Sequence, residues 1–407
     1  MTQSCSGDRR PTRSHLTADE QIHWLALRMT PGLGTRKAGQ LLGVFRSPQA
    51  IFRASRSELE AAGLAHAVAQ SLASGCGFED AADQQQRIAA EGVELVPLIH
   101  PDYPAMLREI FDPPPLLFAK GRLELLSSVM LGVVGTRRPT AYGKAAATRL
   151  AKDLAESGLT VVSGMARGID TSAHSAVLDA GGDTIAVFGS GIDQIYPAEN
   201  RKIAEGIATK GLLLTEFPMG SPPYPQNFPI RNRIISGMSV GVLVVEGSEY
   251  SGSAITAKLA AEQNRGVFAV PGSIMSKMSW GPNLLIKQGA KLVQEWSDVV
   301  VELSPEVRRK LLEQARNRLI LNEIKQAETC TNSPASNSVQ SESVTPKGVA
   351  LAVLNTLRPD APQNLDALTE ALEGTSVSEV LTALFELEMA GLIRQMPGKN
   401  YVRVWND

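Results

Sequence analysis

Seven short runs rich in Val, Ile and Leu, alternating with stretches long enough for helices, constrain this chain more than any other feature. They cover 130–134, 159–162, 184–188, 212–215, 240–245, 267–270 and 291–293. The runs are continuous, with no polar–apolar alternation, as required where helices cover both faces of a parallel sheet. A doubly wound, Rossmann-like α/β domain follows. Its ligands are expected outside the carboxyl ends of the strands, which is where the glycines collect.

A chain of 407 residues exceeds one such domain, and the rest of the sequence divides around it. Residues 1–20 read as a polar tail and 21–95 as a small helical domain of SAM or helix-hairpin-helix type. Within it, Pro31-Gly32-Leu33-Gly34 reads either as a phosphate-facing hairpin loop ahead of a helix or as a tight turn in a bundle. The Rossmann-like domain is assigned to 96–305, and a helix and Ser/Thr/Asn/Gln-rich linker to 306–346. Residues 347–407 read as three helices and a hairpin, a winged-helix module.

Forty Lys and Arg against 42 Asp and Glu leave a formal charge of -2, so any polyanion site must be local. The three cysteines are scattered without a CxxC spacing, which suggests neither a disulfide framework nor a Cys-based zinc site and fits a cytoplasmic protein. The N-terminus has no apolar signal region, and no run of 18 apolar residues occurs, so no membrane association is expected. No cofactor is expected either: GxGxxG and GxxxxGK[ST] are both missing, and with them the main marks of NAD, FAD or P-loop nucleotide sites.

The chemistry collects at four strand ends. The first strand runs into Gly135-Thr136-Arg137-Arg138, where a tight glycine turn and two fixed charges suit a phosphate. The second ends at Ser163-Gly164 and continues to Arg167-Gly168. Asp170 and His174, one turn apart, read either as an acid–base pair or as a cap and a packed imidazole. Farther on, Arg231-Asn232-Arg233 concentrates charge, with internal pairing of one arginine to Glu216 or Glu246 as the other reading. Ser251-Gly252-Ser253 opens a helix and forms an anion cradle. No catalytic residue and no metal ligand set is assigned, and this inventory binds phosphates without an evident reaction on them.

Taken together, GTRRPTAYG, SGMARGIDTSAH, TIAVFGSGIDQIYPAEN, TEFPMG, FPIRNRIISG, VVEGSEYSGSAITA and FAVPGS closely resemble the DprA/Smf family of DNA-processing proteins. The resemblance covers most of the chain. It implies a non-enzymatic, single-stranded-DNA-binding recombination mediator that protects incoming DNA during natural transformation, helps load the recombinase RecA, and forms a homodimer through its Rossmann domain. Carried over by motif, the DNA-contacting positions are Gly135, Thr136 and Arg137, Ser163 and Gly164, Arg231 to Arg233, and Ser251 to Ser253. One departure is that Tyr196-Pro197 is followed by Ala198 where family members often carry a lysine, with Arg201 and Lys202 a turn later. The alternative is a nucleotide-processing enzyme, because the same Rossmann variant is similar to phosphoribohydrolases of the LOG type. Their PGGxGTxxE motif is only partly matched by Pro271-Gly272-Ser273. A pure interaction scaffold is the third reading.

Overall fold

The structure, a computed structural model, describes residues 16–249 and 251–314 and, farther on, 349–357, 363–372, 375, 377–389, 393–396 and 400–403. The tail expected over 1–20 lies outside the described residues up to 15 and is corrected at its end, where Thr17 caps a helix that begins at Ala18; the linker expected up to residue 346 also lies outside the described residues. Two packed units emerge, Met1–Ala327 and Glu328–Asp407.

The first unit opens with six helices: α1 (Ala18–Met29), α2 (Thr35–Phe45), α3 (Pro48–Arg53), α4 (Arg56–Ala61), α5 (His66–Ala73) and α6 (Phe78–Glu91). Local signals start them. Thr17 accepts from the Glu20 amide while the Glu20 carboxylate accepts from the Thr17 amide, a capping box that Ser55 and Glu58 repeat at α4. The packing of these helices is not separate from the sheet. Trp24, Leu41, Ile51, Leu59 and Leu72 share one buried cluster with Phe118, Ala186 and Leu213 of the strands. Full burial of each large apolar side chain contributes about 1.5–3 kcal/mol. Polar contacts fix the docking angle, because the Gln84 amide donates to Met219 O at 3.0 Å and accepts from Met219 N at 3.0 Å.

The nine-stranded sheet contains β1 (Glu94–Pro97), β2 (Leu116–Gly121), β3 (Met130–Val134), β4 (Thr160–Ser163), β5 (Thr184–Val187), β6 (Leu212–Thr215), β7 (Gly241–Val244), β8 (Gly266–Ala269) and β9 (Lys291–Leu292). The order is β1-β2-β6-β5-β4-β3-β7-β8-β9, parallel from β6 to β9. All seven expected runs become these parallel strands. Two further strands, β1 and β2, add an antiparallel edge through pairs such as Phe118 with Thr215.

After the short α7 (Ala105–Arg108) come α8 (Ala141–Glu156), α9 (Ile169–Asp179), α10 (Arg201–Lys210), α11 (Asn227–Met238), α12 (Gly252–Glu262), α13 (Trp280–Lys287) and α14 (Trp296–Val300). Side chains of α8, α9 and α14 join one core cluster with the strands, and those of α11 and α12 join another. Strand order therefore reverses at β3, whose neighbours are β4 and β7. Turns leaving β3, β4 and β7 open at one edge, the place where this architecture binds ligands.

The second unit contains α15 (Val349–Thr356), α16 (Leu365–Ala371) and α17 (Val377–Met389), with strands β10 (Gln363–Asn364), β11 (Ile393–Met396) and β12 (Asn400–Arg403) in the order β10-β12-β11. Val353, Leu368, Val380, Leu384, Ile393 and Tyr401 form its core. Asn364 starts α16 by accepting from Ala367 N at 2.8 Å. Three helices and a hairpin are thus observed, with β10 as an added third strand.

Candidate nucleic-acid interface at the switch point

The turns after β3, β4 and β7 enclose a cavity of about 760 Å³. Gly135, Thr136, Arg137 and Arg138 line it, as do Arg231, Asn232, Ser251, Gly252 and Ser253. Nine of the fourteen residues expected to bind DNA are therefore brought together. Ser163, Gly164, Arg167, Gly168 and Arg233 are not among the lining residues.

The β3 turn is held by its neighbours. Thr136 N donates to Glu246 O at 2.7 Å, and Ile169 N donates to Thr136 O at 3.2 Å. The buried Glu246 carboxylate accepts from Thr140 N at 2.8 Å and from Thr140 Oγ1 at 2.6 Å. The positive end of α8 is thereby taken by an internal carboxylate. Arg137 and Arg138 on the same turn are both exposed, and neither is in an ion pair among the described residues.

Gly168 holds φ +82° beside the Thr136–Pro139 backbone, where a Cβ would overlap the chain, so its role is turn geometry. Arg167 is paired in two-pronged fashion with Glu199, one contact at 3.0 Å, instead of being offered to a phosphate. Ser163 is buried and donates its hydroxyl to Val133 O at 2.6 Å.

Arg231 corrects the sequence reading most. It is only 4% exposed, and Nη1 donates to the carbonyls of Gly164, at 2.6 Å, and Val187. These are strand-end acceptors of β4 and β5, so the guanidinium ties two turns together. Gly164 exists to let it approach, since any Cβ there would overlap the guanidinium. Burial pulls the Arg231 pKa down to about 10, opposed by the charge of Asp170. Asp170 accepts from Gly164 N at 3.1 Å and Ala166 N at 3.2 Å, and burial raises its pKa while Arg231 lowers it. The helix cap beside it is Gly168, not Asp170.

Arg233 lies elsewhere. It is 6% exposed, with Nε donating to Asp112 at 2.9 Å and Nη2 to Glu216 at 2.8 Å. The internal-pairing reading holds here, through Glu216. His174 is fully buried with Nδ1 2.8 Å from Thr184 Oγ1. That hydroxyl donates to Val161 O at 2.8 Å, so it accepts from the imidazole. Burial pushes the His174 pKa down to about 3, and the packed-imidazole reading is the one observed.

Two aromatic residues escaped the sequence reading. Tyr196 and Phe228 line the cavity with ring centroids 5.7 Å apart. The Arg137 guanidinium lies 5.4 Å from the Phe228 ring, a cation–π distance. A global aromatic content of 5% suggests little stacking, yet two of the rings lie where the charges are. Ser251 caps α12 by accepting from Ala254 N at 3.3 Å and lies 2.8 Å from Ser253 Oγ. Arg201 and Lys202 are exposed at the start of α10 but do not line the cavity.

Fold and cleft together define a class: a Rossmann-like α/β protein with an arginine-lined cleft at its switch point, carrying helical and winged-helix additions. A family model described as DNA recombination-mediator protein A matches residues 94–304, and one described as the DprA winged helix domain matches 340–399. Protein Smf of Synechocystis is 34% identical over 401 residues, 94% of this chain and 99% of that protein. DNA processing protein DprA of Bacillus subtilis is 48% identical over 214 residues, 52% of this chain and 72% of that protein. The X-ray structure of DNA processing protein A from Streptococcus pneumoniae is similar with a TM-score of 0.61 and 35% identity, over 71% of this chain and 99% of that one. The chain belongs to the DprA/Smf family.

Proposed function

We propose that the cleft binds single-stranded DNA without transforming it, and that the protein acts as a recombination mediator. One juxtaposition carries this reading: Arg137 and Arg138, in no ion pair among the described residues, line one groove with Tyr196 and Phe228, and Arg137 lies over the Phe228 ring. Charge tracks a sugar–phosphate backbone while aromatic faces take bases, whose faces a duplex keeps stacked. Binding without chemistry is supported by Asp170 and His174, which are buried and committed to internal hydrogen bonds. The phosphoribohydrolase alternative loses ground at its partial motif. Gly272 there exchanges hydrogen bonds with Asn283, and the space a Cβ would need is filled by Ser279.

Loading of RecA, protection of DNA during natural transformation and homodimerisation through the sheet-bearing unit belong to the same proposal and rest on family resemblance. So does a cytoplasmic location. Among the described residues, no helix is long and apolar enough to cross a membrane. Electrophoretic titration with labelled single-stranded and duplex oligonucleotides over a salt series tests the reading. Tight, salt-sensitive preference for single strands is expected, and equal or absent binding of both forms overturns it.

A further inference from the structure

The turn that brings Met278 to the cleft also carries an apolar feature that phosphate binding does not use. Ile274 and Met275, consecutive in the turn between β8 and α13, are 90% and 88% exposed. The turn is not loosely attached. Met278 O accepts from Gly247 N at 2.7 Å, Ser276 N donates to Ser273 O at 3.0 Å, and Met275 N donates to Ser273 Oγ at 3.2 Å. Three residues beyond Met275, Met278 itself lines the cavity, as does the half-exposed Ile255 of α12. The turn over 271–279 contains one charged residue, Lys277.

Two consecutive large apolar side chains held almost wholly in water on an anchored turn form a surface that a partner can cover. The candidate ligand of the adjoining groove supplies one. A single strand threading past Arg137 presents unpaired bases to whatever stands at the groove's rim, and aliphatic side chains are known wedges between base steps. Tyr196 and Phe228 offer flat rings on which bases stack, whereas Ile274 and Met275 offer branched or flexible bulk that interrupts a stack.

We propose that Ile274 and Met275 form an apolar wedge that inserts beside a nucleobase of bound single-stranded DNA, adding base contact and breaking the stack at one end of the cleft. This inference rests on the single-strand reading of the cleft. The test compares I274S/M275S with wild type in the full chain, using an oligothymidylate containing 2-aminopurine at successive positions. Both substituted side chains are exposed, so an unchanged thermal unfolding midpoint is expected and serves as the folding control.

Wild type should raise 2-aminopurine emission at a defined position, and the double variant should abolish that rise. Affinity should fall about three- to tenfold while the log–log salt slope stays constant, because no phosphate contact is lost. An unchanged affinity and emission profile overturns the wedge. So does a double variant whose only change is loss of self-association by analytical ultracentrifugation, since the patch would then contact a second copy. Arg137→Ala run in parallel separates the two levels: if it also binds like wild type, the cleft reading fails, and if it alone weakens binding, only the wedge fails.

Discussion

Arg231→Ala should unfold the sheet-bearing unit more readily, not merely weaken DNA binding. The guanidinium is the partner of two buried carbonyls, those of Gly164 and Val187, and the counter-charge of buried Asp170. Removing one member of a buried, hydrogen-bonded charge pair costs about 3–5 kcal/mol, because the remaining charge is left in a poor solvent. Against a typical stability of about 5–15 kcal/mol this is a large fraction. The thermal midpoint should fall by roughly 10 °C. Removing the charge from both sides, as in Asp170→Asn with Arg231→Met, should recover about half of the loss, since no unpaired carboxylate remains. Urea unfolding of the full chain followed by intrinsic tryptophan fluorescence, with circular dichroism as a second probe, measures each variant. An Arg231→Ala protein with an unchanged midpoint and lost single-strand affinity would refute the reasoning and put the guanidinium on a phosphate.

Arg137→Ala should leave the unfolding midpoint in place, weaken single-strand binding, and reduce the log–log salt slope by about 0.7. Phe228→Ala should instead cost about 1–3 kcal/mol of binding at every salt concentration, as a lost stacking platform does; a changed slope would contradict that assignment. His174 predicts acid sensitivity. Its folded pKa, about 3, lies below the ordinary 6.5, so the unfolded chain takes up this proton first as pH falls. Stability is intact above about pH 6.5 and declines from there towards pH 3, by up to about 1.4 kcal/mol per unit for this group. His174→Gln should flatten that decline in urea titrations, with the opposing contribution of Asp170 common to both proteins. Finally, residues 347–407 carry five basic against eight acidic side chains, and Glu379, Glu386 and Glu388 fall in the stretch that forms α17. A chain ending at Leu321 should therefore keep its single-strand affinity to within about 1.4 kcal/mol, a tenfold change; a larger loss would place the acidic module in the binding reaction.

Much of the architecture was legible in the sequence because its signals are local. Continuous runs such as Met130–Val134 announce strands buried on both faces, and the glycine turns announce where the sheet edge opens. The edge strands β1 and β2 were not legible. Leu116–Gly121 follows three prolines and pairs antiparallel with β6, about 95 residues later, so no neighbouring pattern marks it. The composition of the cleft was half visible. Arg137 and Arg138 occupy a strand-end turn, a placement the motif itself dictates.

Which arginines meet solvent was decided only by the tertiary structure. Arg231 and Arg233 are two residues apart on α11, and a helix of 3.6 residues per turn aims such neighbours to nearly opposite sides. One then meets the carbonyls of β4 and β5 and the other meets Asp112 and Glu216, and no property of the string Arg-Asn-Arg distinguishes those fates. The aromatic platform is likewise a product of folding, because Tyr196 and Phe228 lie 32 positions apart in sequence and 5.7 Å apart in space. Composition averages aromatic rings over the chain, whereas sheet order at the β3 switch point gathers them beside the charges. The sequence by itself thus determined the seven parallel strands, the turns that follow them and the family. Burial, which depends on what packs against each residue, determined which charges remain free for a ligand.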